Sequence, residues 1–295
     1  MSVEANPLGE YLRARRELVT PGDVGIPRLG IRRVPGLRRE EVAMLAGISA
    51  DYYLRLEQGR DRNPSVQVLE SIARVLQLDD AGTAYLLGLG VEKPRRARRR
   101  PRKETVPPGV LKLLATLALP AFVEGRYFDV LAVNPLATAL SPRLAVGRNR
   151  LRDVFLEPAE RALFPEWEQA TGQLVAGFRE SVGTDTDDPR FIALVGELSL
   201  ASERFRRLWA RHDVSSREGA PVTLDHPQVG RLTLNREKLA VTGGAGSGQM
   251  IAVYHADPGS ADAEKLGLLA SFQAKAQTVS SPAAPRRTEG SGASR

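Results

Sequence analysis

The stretch Arg39-Glu-Glu-Val-Ala-Met-Leu-Ala-Gly-Ile-Ser-Ala-Asp-Tyr-Tyr-Leu-Arg-Leu-Glu-Gln-Gly-Arg-Asp-Arg-Asn-Pro64 holds two apolar-periodic runs separated by Gly47, Ile48 and Ser49. Val42, Ala43, Leu45 and Ala46 share one face at helical spacing, and Gly47 supplies a turn position where a side chain would demand positive φ. Ser49 is placed to cap a second helix, whose apolar positions Tyr53, Leu54 and Leu56 end before Gly59. Two short helices joined by a three- to four-residue turn make a helix-turn-helix.

Glu41, Val42, Ala43, Ala46, Gly47, Ser49, Tyr53, Leu56, Glu57, Gly59, Pro64 and Ser65 together resemble the phage-repressor-like (XRE-type) helix-turn-helix family of bacterial regulators. The run Gly-Leu-Arg-Arg-Glu-Glu-Val-Ala before the turn, with Tyr-Tyr-x-Arg-Leu-Glu-Gln-Gly-Arg-Asp-Arg-Asn-Pro-Ser after it, is similar to a narrower group, the MmyB-like transcriptional regulators. That resemblance implies a sequence-specific DNA-binding head followed by a ligand-binding domain. Further along the chain it is carried by Asp129–Asn134, Pro165–Trp167, Leu194–Ser199, Phe205–His212 and Tyr254–Gly259.

A chain of 295 residues exceeds one helix-turn-helix unit and suits two domains with tails. No apolar run approaches membrane-spanning length, and the N-terminus lacks the regions of a signal peptide. A cytoplasmic protein without membrane partners is expected. The absence of cysteine excludes disulfides, thiolate zinc sites and cysteine nucleophiles. The net charge of +7 arises within residues 1–103, leaving the remainder neutral. Eight basic residues crowd between Lys93 and Lys103, interrupted by Pro94 and Pro101. Such a run reads as a linker able to meet phosphates without reading bases, or as simple solvated charge.

The spacing predicts a helix from Pro7 to Val19 with Leu8, Tyr11, Leu12 and Leu18 apolar, then a long Gly/Pro/Arg loop from Thr20 to Leu37. Arg28, Arg32 and Arg33 make that loop a DNA arm or an ordinary surface segment. After the motif, helices are expected from Ser65 to Leu76 and from Asp79 to Leu87, completing an all-α five-helix head at residues 1–90. Residues 91–106 are expected to be the linker, 107–277 an α/β (α+β) domain with an antiparallel sheet, and 278–295 a disordered tail. Within the second domain, strands are expected at 121–125, 128–133, 221–225, 230–234, 239–241 and 250–255. Helices are expected near 110–119, 135–140, 151–156, 165–182, 189–201, 202–212 and 261–274. The strand-strand-Asn-Pro-helix opening and closing strand meander are similar to a PAS-like sensor fold.

The family resemblance implies that the second motif helix enters the major groove, with Ala50, Asp51, Tyr52 and Arg55 toward base edges. Arg55 suits bidentate bonding to guanine, and Asp51 either accepts from cytosine or stabilises the helix N-terminus. Arg39, Arg60, Arg62 and Asn63 fall where the family grips phosphates. Double-stranded DNA is the expected partner, and a homodimer is expected because one small head reads few bases.

An enzyme is the first rival reading. His212, His226 and His255 are the only histidines, in no metal or nucleophile spacing, and the pairs His212–Asp213 and His226–Asp225 read as surface or turn residues. The loop Gly243–Gly248 lacks the Lys and Ser/Thr of a phosphate loop. No catalytic residue, metal or cofactor follows from these features. A second rival makes the C-terminal domain a dimerisation or protein-interaction module only. Its aliphatic and aromatic helices otherwise suit a small apolar ligand such as a fatty acyl chain.

Overall fold

The computed structural model describes residues 6–27, 32, 34–61, 63–90, 104–183, 188–214, 221–242 and 248–280. The basic run 93–103, Arg28, Arg33, Arg62 and the Gly243–Ser247 part of the glycine loop lie outside them, as does the expected tail beyond Ser280.

Five helices build the head: α1 (Pro7–Leu18), α2 (Arg39–Ala46), α3 (Ala50–Glu57), α4 (Val66–Val75) and α5 (Asp80–Gly90). Gly47 ends α2 at φ +70°, and Ser49 Oγ accepts the Tyr52 N–H to open α3. Ser65 opens α4 in the same way. Leu12, Leu37, Val42, Tyr53, Leu56, Ile72, Leu76 and Leu86 are wholly buried in one core. Gly9 lets α1 approach the end of α3, since a Cβ there would meet the Glu57 carbonyl oxygen at 2.2 Å. The apolar stripe of α2 is narrower than its spacing suggests: Leu45 is largely in solvent beside Met44, and Leu18 of α1 is likewise exposed. Replacing Ser49 by alanine removes one cap from the helix that the turn presents. Chemical denaturation should show the loss of about 1 kcal/mol.

The second domain is a five-stranded antiparallel sheet in the order β2-β1-β5-β4-β3, with helices around it. Its strands are β1 (Ala121–Glu124), β2 (Val130–Val133), β3 (Val222–His226), β4 (Gly230–Val241) and β5 (Gln249–His255). The PAS-like α/β reading holds, with local corrections. The second strand starts at Val130 rather than Phe128, because Phe128 sits at φ +62° and closes a turn onto the Gly125 carbonyl. The two strands expected at 230–234 and 239–241 are one. β4 pairs its first half with β3 and its second half, Asn235–Val241, with β5, so the polar residues Asn235–Lys238 stay in backbone register.

Helix α6 (Pro108–Thr116) precedes the sheet, and α7 (Pro135–Leu140) starts where Asn134 caps Ala137 and ties down Ala121. Then come α8 (Arg150–Leu156), α9 (Pro158–Ala162, not foreseen), α10 (Trp167–Val182), α11 (Pro189–Ala201) and α12 (Glu203–Ala210). These helices build an aromatic core in which Phe178 meets Phe128, Phe191 and Trp209. The last helix, α13 (Ala261–Ser280), covers the sheet and runs past residue 278, where a disordered tail was expected. Among the described residues, no helix is long and apolar enough to cross a membrane.

Candidate functional site

The surface carried by α3 is built from its N-terminal half. Ala50, Asp51 and Arg55 are exposed, Tyr52 is half-buried, and Tyr53 packs in the core. Arg55 donates to the Asp51 carboxylate one turn earlier, and its guanidinium lies 5.7 Å from the centre of the Tyr52 ring. Three of the four expected base-facing side chains therefore form one cluster, with Arg55 held between a carboxylate and a ring. Asp51 both favours the helix N-terminus and orients Arg55. Burial, with Asp61 nearby, raises the Tyr52 phenol, which stays a hydrogen-bond donor at neutral pH.

The expected phosphate contacts divide. Arg60 and Asn63 are exposed after α3, whereas Arg62 lies outside the described residues. Arg39 is not a free cation: its Nε donates to Glu57 Oε2 at 2.6 Å. The other oxygen of Glu57 accepts from Arg16 Nε at 2.6 Å, and the Glu57 side chain is fully buried. Glu57 thus clamps α1, α2 and α3 together, a role that its place in the motif did not reveal. Arg32, weighed as a DNA arm, forms a two-pronged pair with Glu41 at 2.7 and 2.8 Å. The hydrogen bond from Arg32 holds the Glu41 carboxyl down at about 2, against the opposing effect of burial. Glu41 also accepts the Arg38 N–H at the start of α2.

The second domain holds a cavity of about 50 Å³ between its sheet and helices. Val154, Phe164, Ala170, Leu174 and Val222 form its apolar wall, while Arg150, Arg236, Glu166, Gln169, Gln173 and Thr223 add polar groups. Arg150 is buried and donates to Glu124 Oε2 at 2.5 Å; Lys238 Nζ lies 2.7 Å from Glu124 Oε1. Burial pushes the Glu124 carboxyl up, but Arg150 and Lys238 outweigh it and hold the group at about 2. Two cations thus surround one buried carboxylate, and one of them, Arg150, also lines the cavity. Arg236 adds a third cation at the lining, with no ion-pair partner among the described residues.

The histidines do not form a catalytic constellation. His226 is buried, its Nε2 3.0 Å from the Ala139 carbonyl oxygen, and its Nδ1 accepts the Gln228 N–H. It is a core residue rather than a surface one, and neighbouring Asp225 is bound to Arg231. His255 lies 3.6 Å from Glu237. His212 stands in a turn at φ +53°, where its Nδ1 accepts from Arg179 at 3.1 Å and its ring meets the edge of Tyr11 from the head. Burial first, then the charges of Arg179 and Arg15, push His212 down to about 4.

Because the docked His212 ring titrates below the ordinary 6.5, the stability that it contributes is present above pH 6.5 and is lost as pH falls toward 4. An NMR titration of the imidazole carbons should place its midpoint near 4 in the native protein. A midpoint above 6 would contradict this burial.

Comparison with known proteins gives two family matches. Residues 106–269, more than half of the chain, match the MmyB-like transcription regulator ligand binding domain. Residues 7–86 match a helix-turn-helix domain. No curated protein matches the chain. Among solved structures, the chain is similar to one described as the structure of an RNA-binding light-oxygen-voltage receptor, at 13% identity and a TM-score of 0.22. That match covers 82% of this chain, which spans 62% of the receptor's length. The chain belongs to the MmyB-like transcription regulators, with a helix-turn-helix domain followed by the ligand-binding domain of that family.

Proposed function

We propose that the protein acts as a cytoplasmic homodimer that reads a specific operator with α3 and alters that binding when the cavity of its second domain takes up a small, apolar-bodied carboxylate. The observation that carries the ligand reading is the partnering at the cavity. Arg236 stands half-buried with no ion pair among the described residues, and lines the cavity together with Arg150, Glu166 and an apolar wall. An anionic head on Arg236 with a hydrocarbon body against Val154, Phe164 and Leu174 satisfies both chemistries. The volume admits about four water-sized bodies, enough for a carboxylate and its first carbons, so a longer acyl chain requires the walls to part.

Native mass spectrometry of the purified chain against its denatured mass tests retention of such a ligand. Decanoate against decanol in a thermal-shift titration tests the head group. Decanoate should raise the melting temperature of the wild type and lose that effect in Arg236→Ala. Equal stabilisation by decanol would defeat the anionic reading. A ligand-free dimer insensitive to both would favour a domain used only for association.

For DNA, Ala50, Asp51, Tyr52 and Arg55 supply base-edge contacts, while Arg39, Arg60, Arg62 and Asn63 fix register on phosphates. Arg55→Ala should cost about 1–3 kcal/mol at one base position, whereas Arg62→Ala should weaken all sequences alike and flatten the salt dependence. Titrations on a sequence-permuted operator decide: uniform harm from Arg55→Ala would remove it from direct readout. One head covers few base pairs, so two related half-sites are expected.

A further inference from the structure

Helix α10 lies between the cavity and the DNA-binding head. Gln169, Ala170, Gln173 and Leu174 repeat at helical spacing along one side and line the cavity. Along the adjoining side, Glu168, Gly172 and Ala176 face a cleft whose opposite wall is Tyr11, Arg15, Gln77 and Gly82 of the head. Gln169 and Gln173 reach both spaces.

At the C-terminal end of α10 the two domains are tied together. Arg179 is buried, stacks 3.8 Å from the centre of the Trp209 ring, and donates to the Trp209 carbonyl at 2.5 Å and to His212 Nδ1. Tyr11, whose ring meets His212, has its ring centre 5.1 Å from that of Tyr85 of α5. Arg15 of α1 meets Asp213 at 2.6 Å, Asp213 also receives Arg211, and Val214 packs on the head core. The joint is therefore made of buried and partly buried contacts on α1, which reach α5 through the Tyr11–Tyr85 ring pair, and the exposed Asp51–Arg55 side of α3 is not among its residues.

We propose that α10 is the transmission element of this protein: displacement of its cavity side is delivered through Arg179 and the His212–Val214 turn to α1 and α5, and so sets the placement of the head. This rests on the cavity being the ligand site, and it adds the route by which occupancy reaches DNA. A packed helix moves as a rod, and a buried guanidinium held by the Trp209 ring, the Trp209 carbonyl and His212 has few intermediate positions. Ligand occupancy can bias the head only by as much as it distinguishes the two placements.

The test needs no identified ligand. Ala170→Phe in the full chain fills the cavity from α10 itself, and operator affinity by fluorescence anisotropy should change at least fivefold. Combined with Arg179→Met, which cuts the joint, the change should fall within twofold of the Arg179→Met parent. Asp213→Asn is the second disconnecting variant, at a partly exposed position, and should reduce the change even if Arg179→Met unfolds. An Ala170→Phe effect that persists undiminished in both backgrounds, or no effect on operator affinity in the wild type, overturns the proposal. Failure of the ligand reading is seen separately, as absence of retained mass and of decanoate stabilisation.

Discussion

Glu57→Ala is expected to destabilise the head by about 3–5 kcal/mol, because it leaves the buried guanidinium of Arg16 without its counter-charge. The same change releases Arg39, so three helices lose their common tie. A small helical domain has about 5–15 kcal/mol in total, so the loss removes a large share of the head's stability. Circular dichroism melts would show an early transition, and specific DNA binding should be lost although no proposed DNA contact other than Arg39 has been touched. Glu57→Gln keeps the shape and two acceptor-donor positions but not the charge, and should lie between the two. If Glu57→Ala melted with the wild type, the clamp would be dispensable.

The second large effect concerns the charge triad of the ligand-binding domain. Glu124→Ala strands Arg150 and Lys238 as two like charges without the carboxylate between them, and a loss of about 3–5 kcal/mol is expected for that domain. The pH dependence follows from the same pair of cations. With its carboxyl held at about 2, below the ordinary 4.5, Glu124 contributes stability that is complete above pH 4.5 and disappears as pH falls toward 2. Acid unfolding of the wild type should therefore show a component between those values that Glu124→Ala lacks. Glu124→Gln, close in shape but uncharged, should also lose this component and fold worse than the wild type.

The head was legible because its signals are local. Gly47, Ser49 and Ser65 each act on backbone within three residues, and the turn positions follow from those residues alone. The Glu57 clamp was not, since it joins residues 41 and 18 positions apart, and Arg and Glu in a sequence carry no address. Leu45 failed for a related reason: periodicity says which residues share a face, but the width of the buried stripe is set by how closely the partner helices sit. In the sheet, Asn235–Lys238 read as a break because polarity was taken for a turn, whereas a strand that changes partners can carry polar residues at the crossover. The cavity was the least legible feature. Its walls come from α8, α10, β3 and β4, and the arginines that define its chemistry look like any other arginines until those elements meet.

The strand order also sets a timetable. Ala121 in β1 has Val253 of β5 as its neighbour, more than a hundred residues later, whereas the fully buried core of the head is drawn from Leu8 to Leu86 alone. During synthesis the head can close long before the sheet has its middle strand. A ribosome that stalled before residue 249, or a gene cut there, would release a head already shaped to hold DNA attached to a sheet with two unpaired inner edges. The order of the strands thus makes regulation the last property that the growing chain acquires.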